Sequence, residues 1–352
     1  MKRLLLSLKN EIKLFRTSIP VHLVAMLQPT LMYLLMSVIL VHPTFDMYVT
    51  RPSTQDGKSL VAAMQEVGSP IGLPYINPIL IDAVEPESVR QVVTMEERDG
   101  KVYAVQDYGL IDSNMVKNFR NRLTAAALRV WNKFLGNQAV QIEEHPWLPE
   151  DKPYTLFFGM AMLPLTAAVA ASMVGGILTA EEFEYGTIQE YQIAPASSLL
   201  VISSRLIRLV LLSLISATIL LVTLKLVNGA WPKPVWKVSL IIIPTGVIAG
   251  CLGMIAGLIL KKSIPAFIVG LVTSFVSWLL GSAFGLAAGF NRIYEFVSRL
   301  TPNTHAVELL YPLYFGGNVG NPWSSWAFLL LVSGFMIGLT LLAYRWSVQR
   351  QL

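Results

Sequence analysis

Glu181, Glu182, Glu184 and Glu190 crowd into ten residues, the one densely charged short island between long apolar runs. Phe183, Ile188 and Tyr191 keep the stretch amphipathic. Thr179 is placed to cap a helix that starts there, and Glu181 and Glu182 suit the positive end of its dipole. Pro195, with Ser197 and Ser198 behind it, stops that helix and lets the next one begin. A short acidic helix clamped between two apolar spans is a lever for a soluble partner. The alternative is a solvated loop that only carries negative charge.

Arg292, Glu295, Arg299, His305 and Glu308 form a second ionisable set, the only one expected at membrane depth. They suit either an outer gate for a polar headgroup or a group of salt bridges and caps holding two short helices. The second reading is favoured, because charged groups must be paired wherever water is scarce.

Other chemistry is missing from the sequence. It contains no Gly-x-x-x-x-Gly-Lys-Ser/Thr stretch to cradle phosphates, no Gly-x-Ser-x-Gly elbow and no His-Glu-x-x-His. The four histidines are far apart and the single Cys251 lies inside an apolar run, so neither a metal site nor an intrachain disulfide framework is expected. The spans carry almost no ionisable residue in their middles, which argues against a proton relay or an ion-coupled transporter. The chain is therefore read as no enzyme, and any energy must come from another subunit. The net charge of +5 comes without a basic tract, so no nucleic-acid partner is expected.

The elements that position these residues follow from composition. Of 352 residues, 54% are hydrophobic and 14% charged, against about 25% charged in soluble proteins. Mean hydropathy is +0.56. The pattern predicts an α-helical polytopic membrane protein with six transmembrane helices, near 20–42, 154–178, 199–227, 238–260, 264–284 and 326–344. Residues 1–19 set Leu4, Leu8, Ile12 and Phe15 against Lys2, Lys9, Lys13 and Arg16, an interfacial helix suited to anionic membrane lipids. His22 and His42 fall near the ends of the first span and read as interfacial. Residues 43–153 hold 15 of the 22 acidic side chains and read as a small extracytoplasmic α/β domain. Its strands are expected at 46–49, 76–81, 89–95 and 102–106, the last two around the hairpin signal Asp99-Gly100. Helices are expected at 58–67 and 112–134. Gly246-x-x-x-Gly250 and Gly253-x-x-x-Gly257 give the fourth span a smooth packing face. The region 285–322 suits re-entrant half-helices, tolerated only against protein or a cavity.

The acidic island carries a resemblance. Glu182-x-Glu184-x-Gly186-Thr187, with Pro195 nine residues after Gly186, resembles the segment after the second span of ABC-2 type transporter permeases. Pro302-x-x-His305-x-x-x-Leu309 followed by Gly316-Gly317 resembles the region before their last span. Gln189 stands where the family commonly has glutamate, and Ser204-Arg205 where a Gly-Lys pair often follows. The resemblance covers the six spans but not the insert in detail. It implies that 180–195 is a coupling helix docking into an ATPase through Glu181, Glu182, Phe183, Glu184, Gly186, Thr187, Ile188, Glu190, Tyr191 and Pro195. It also implies two ABC ATPase subunits, which would bring ATP and Mg, and a second permease chain, the same or homologous. The implied activity is export of an amphipathic, lipid-like or drug-like compound; a membrane-anchored sensor or assembly protein is the alternative.

Lys and Arg side chains set the expected topology. With both termini cytoplasmic, the inner ends carry Lys2, Arg16, Arg205, Arg208, Lys261, Lys262, Arg345 and Arg350, while the opposite short loop has Lys233 and Lys237. That bias places the N-terminus, the C-terminus and the acidic island in the cytoplasm and 43–153 outside the cell membrane.

Overall fold

The computed structural model describes residues 19–40, 45–68, 74–82, 92–98, 101–107, 113–135, 153–188, 197–285, 292–317 and 321–349. The basic stretch 1–18, His42, residues 136–152, and Glu190, Tyr191 and Pro195 lie outside these residues. In chain order the elements begin with α1 (Ile19–Leu40), β1 (Phe45–Thr50), α2 (Gln55–Glu66), β2 (Ile76–Ile81), β3 (Val92–Arg98), β4 (Lys101–Asp107) and α3 (Ser113–Leu135). Then come α4 (Tyr154–Glu184), α5 (Ser198–Asn228), α6 (Trp236–Leu260), α7 (Ser263–Leu280), α8 (Arg292–Ser298), α9 (Pro302–Phe315) and α10 (Pro322–Gln349). The chain divides into two units: Leu40–Asp151, and Met1–Ile39 together with Lys152–Leu352.

The first of these is a small α/β unit. Thr54 starts α2 by accepting the Gly57 N–H on its hydroxyl, as a helix cap should. The strands lie in the order β2-β1-β3-β4. β1 pairs in parallel with both β2 and β3, and α2 makes the crossover between β1 and β2. β3 and β4 pair antiparallel with Arg98 opposite Lys101; Asp99 and Gly100 of the hairpin signal lie outside the described residues. Met47 and Val49 of β1, Leu60 and Met64 of α2, Val93 of β3 and Ala126 of α3 form its core. Arg122 of α3 donates to the Tyr75 carbonyl at 2.8 Å and lies over the Tyr75 ring; burial lowers its pKa from the ordinary value.

The second unit is helical. Six of its helices, α1, α4, α5, α6, α7 and α10, are long and apolar enough to cross a membrane. This is a polytopic helical membrane protein. α4 is its centre, buried at almost every position from Thr155 to Ala180. Small residues allow that: a Cβ at Gly253 of α6 would lie only 2.1 Å from the Ser172 carbonyl oxygen of α4. On the other side Ser172 donates to the Gly270 carbonyl of α7 at 2.9 Å. Trp278 of α7, 1% exposed, donates its indole N–H to the Ala161 carbonyl at 2.9 Å. At the end of the bundle where α5 closes on Gly229, Thr155 donates to Asn228 and Asn228 donates to the Tyr33 hydroxyl, tying α4, α5 and α1.

Two boundaries differ from expectation. α7 stops at Leu280 rather than near residue 284, because Gly281 ends it and Ser282 follows with φ of 66°. The helix expected to begin at Thr179 does not begin there: Thr179 is buried inside α4, which runs on to Glu184. Ala180 to Glu184 contains no helix breaker, and the first residue that turns the chain is Gly186 with φ of 71°. Glu181 and Glu182 therefore sit at the negative end of a helix dipole, not the positive one. His22, near the start of α1, is 0% exposed.

Candidate functional site

Three consecutive residues at the end of α4 reach neighbouring helices of the bundle. Glu182 binds Arg205 in the second turn of α5 through its Oε1, with side chains 15% and 7% exposed. Arg205 in turn lies over the Tyr344 ring of α10, 5.8 Å from its centroid. The Phe183 ring faces Lys261, which follows α6, with Nζ 5.1 Å from the centroid. Glu184 accepts the backbone N–H of Ser263 at 3.0 Å and also its hydroxyl hydrogen. Its carboxylate thus caps the start of α7, where a negative charge meets the positive end of that helix dipole. One short segment reaches α5, α6, α7 and, through Arg205, α10.

Carboxylates at a helix C-terminus are unfavourable on their own, and the nearby cations Arg205 and Lys261 come from neighbouring parts of the bundle. Arg208 Nη2 is 2.9 Å from His22 Nε2. A guanidinium can only donate, so Nε2 accepts and the imidazole proton sits on Nδ1. That contact fixes α1 to α5 at the same end of the bundle.

Beyond Glu184 the chain turns outward. Tyr185 donates its N–H to Glu181 O at 2.8 Å and Gly186 to Phe183 O at 3.3 Å, closing the helix. Tyr185 is 75% exposed. Ile188, by contrast, is 2% exposed and points back into the protein. Thr187 makes only a long 3.5 Å contact to Glu182 O. Glu182 and Glu184 thus find their partners within the chain. Arg205 was legible only as a basic residue entering a span; an arginine that deep demands a carboxylate, but the sequence does not say which one.

The second set is brought together in part. Glu295 and Arg299 pair at 2.8 Å one turn apart, at the surface; this hydrogen bond raises the Arg299 pKa. Arg292 is exposed at the first position of α8. His305 and Glu308 are buried deeper, against α10. His305 Nε2 is 2.9 Å from the Arg299 carbonyl, and its ring stacks on Phe328 with centroids 4.1 Å apart. Ser325 was not singled out by the sequence, yet it stands between them, 3.1 Å from His305 Nδ1 and donating to Glu308 Oε2 at 2.6 Å. Ser298, Thr301 and Thr304 form a hydroxyl cluster that closes the turn from α8 to α9. No His, Cys, Asp and Glu group among the described residues could hold a metal.

A family profile described as ABC-2 family transporter protein matches residues 45–342, most of the chain. The chain belongs to that family. Among curated proteins, none matches it. As an ABC-2 family transporter protein it is a membrane component of transport and not itself catalytic, in keeping with a sequence that lacks a phosphate-cradling loop.

Proposed function

We propose that this chain is the permease subunit of an ATP-driven exporter, powered through the end of α4. Two ABC ATPase subunits bind ATP and Mg on the cytoplasmic side, and a second permease chain completes the path. Both termini and the Gly186 turn are cytoplasmic, while residues 43–153 are extracytoplasmic. The observation that carries this reading is the contact of Glu182, Phe183 and Glu184 with α5, with Lys261 at the close of α6, and with the start of α7. A push on the segment that follows Gly186 reaches these through three adjacent residues, and α10 through Arg205. Docking then falls to Tyr185, Gly186, Thr187, Glu190, Tyr191 and Pro195, with Glu181, Glu182 and Glu184 transmitting. The spans hold few charges, which suits an apolar or amphipathic cargo.

Purification of the tagged chain from its native membranes tests this. An ATPase with a phosphate-binding loop should accompany it, and the complex should hydrolyse ATP. Tyr185→Ala, at a residue 75% exposed, should insert normally yet lose cargo-stimulated hydrolysis. A chain that purifies without any ATPase, or a Tyr185→Ala variant with full activity, contradicts the proposal.

A further inference from the structure

The joint between α9 and α10 contains more hydrogen-bond acceptors than hydrogens to fill them. The Arg299 carbonyl can only accept, so His305 Nε2 carries a hydrogen and donates it across 2.9 Å. The Ser325 hydroxyl has one hydrogen and two acceptors beside it, His305 Nδ1 at 3.1 Å and Glu308 Oε2 at 2.6 Å. With a neutral imidazole and an ionised carboxylate, one of the two contacts must set lone pair against lone pair. His305 Nδ1 and Glu308 Oε2 are themselves 3.8 Å apart, in side chains only 9% and 16% exposed. An unmet acceptor there is costly, and so is a lone negative charge.

One additional proton completes every contact. Placed on Nδ1, it gives an imidazolium that donates to Ser325 Oγ while Ser325 donates to the Glu308 carboxylate. Placed on Glu308, it donates to Ser325 Oγ while Ser325 donates to Nδ1. Both arrangements make the trio neutral overall, and they differ only in which end of the bridge holds the hydrogen. The remaining charged groups nearby are Arg299 and Glu295, which pair with each other at the surface. Among the described residues of α8, α9 and α10 no other ionisable side chain enters these contacts.

We propose that His305, Ser325 and Glu308 form a buried proton-binding site that ties α9 to the first turns of α10. Its ligand is a single proton, shared across the Ser325 hydroxyl. This site does not depend on the transport reading, since it concerns only the hydrogen count at one joint.

The full-length protein in lipid nanodiscs tests it, with histidine labelled at both ring nitrogens. At neutral pH the spectrum should contain a histidine protonated on both nitrogens that disappears in His305→Gln. If the proton rests instead on Glu308, infrared difference spectra should show a protonated carboxylic acid lost in Glu308→Gln. Either signature supports the site. In Glu308→Gln the amide can donate to Ser325, so His305 should revert to one ring hydrogen with Nδ1 accepting. A wild-type His305 carrying a hydrogen on Nε2 alone, with no acid band dependent on Glu308, overturns the proposal.

Discussion

Arg205 joins the end of α4 to α10, and its guanidinium has almost no access to solvent. Truncating it leaves Glu182 charged beside the negative end of its own helix. Loss of one member of a buried ion pair costs on the order of 3 kcal/mol, so Arg205→Ala should melt well below the wild type in detergent micelles. Glu182→Ala should cost a similar amount, and the double variant should lose clearly less than the sum of the two. Tryptophan-fluorescence melting measures all three; strictly additive losses would show that the two side chains do not act on each other. Neither contact was readable from the sequence. Arg205 follows Glu182 by 23 residues and Ser263 follows Glu184 by 79, and which turns of separate helices meet depends on packing that local patterns do not record. Ser325 stayed hidden for the same reason, since a lone serine carries no signal until His305 and Glu308 are beside it.

At the scale of the element, the apolar runs, the hairpin signal and the small-residue face of α6 were plain in the sequence, because each rests on local periodicity or on one turn type. The charge of Glu181, Glu182 and Glu184 does not mark the end of α4. Glutamate continues a helix readily, and Gly186 is what ends it. Gly186 has φ of 71° and nothing within 4 Å of where a Cβ would be, so its role is conformational and not a matter of space. Gly186→Asn should therefore keep transport, whereas Gly186→Val should lose it, at equal membrane levels, since a branched residue strains in the left-handed region by roughly 1–2 kcal/mol. Equal activity of the two variants would remove the turn from the account. Gly253 makes the opposite case. Gly253→Ala should destabilise by about 1–3 kcal/mol, because Ser172 O blocks the methyl group, while Gly334→Ala, with open space around it, should leave the melting temperature unchanged.

For the whole molecule, the account requires the acidic end of α4 and residues 43–153 to face opposite sides of the membrane. Exposed Ser53 and Tyr185 report on them. In a Cys251→Ala background, Ser53→Cys should react with an impermeant thiol reagent on intact cells, and Tyr185→Cys only after permeabilisation; the reverse pattern would invert the topology. The central claim is that an ATPase works on the turn after Glu184. Its most direct test puts a photoreactive benzoyl-phenylalanine at Tyr185 in the full chain, in native membranes, and identifies what irradiation joins to it. The account predicts an ATP-binding subunit, captured from Tyr185 and not from the same residue placed at Trp231, in the turn between α5 and α6. Capture of lipid alone at Tyr185, or equal capture of that ATPase from Trp231, would contradict it.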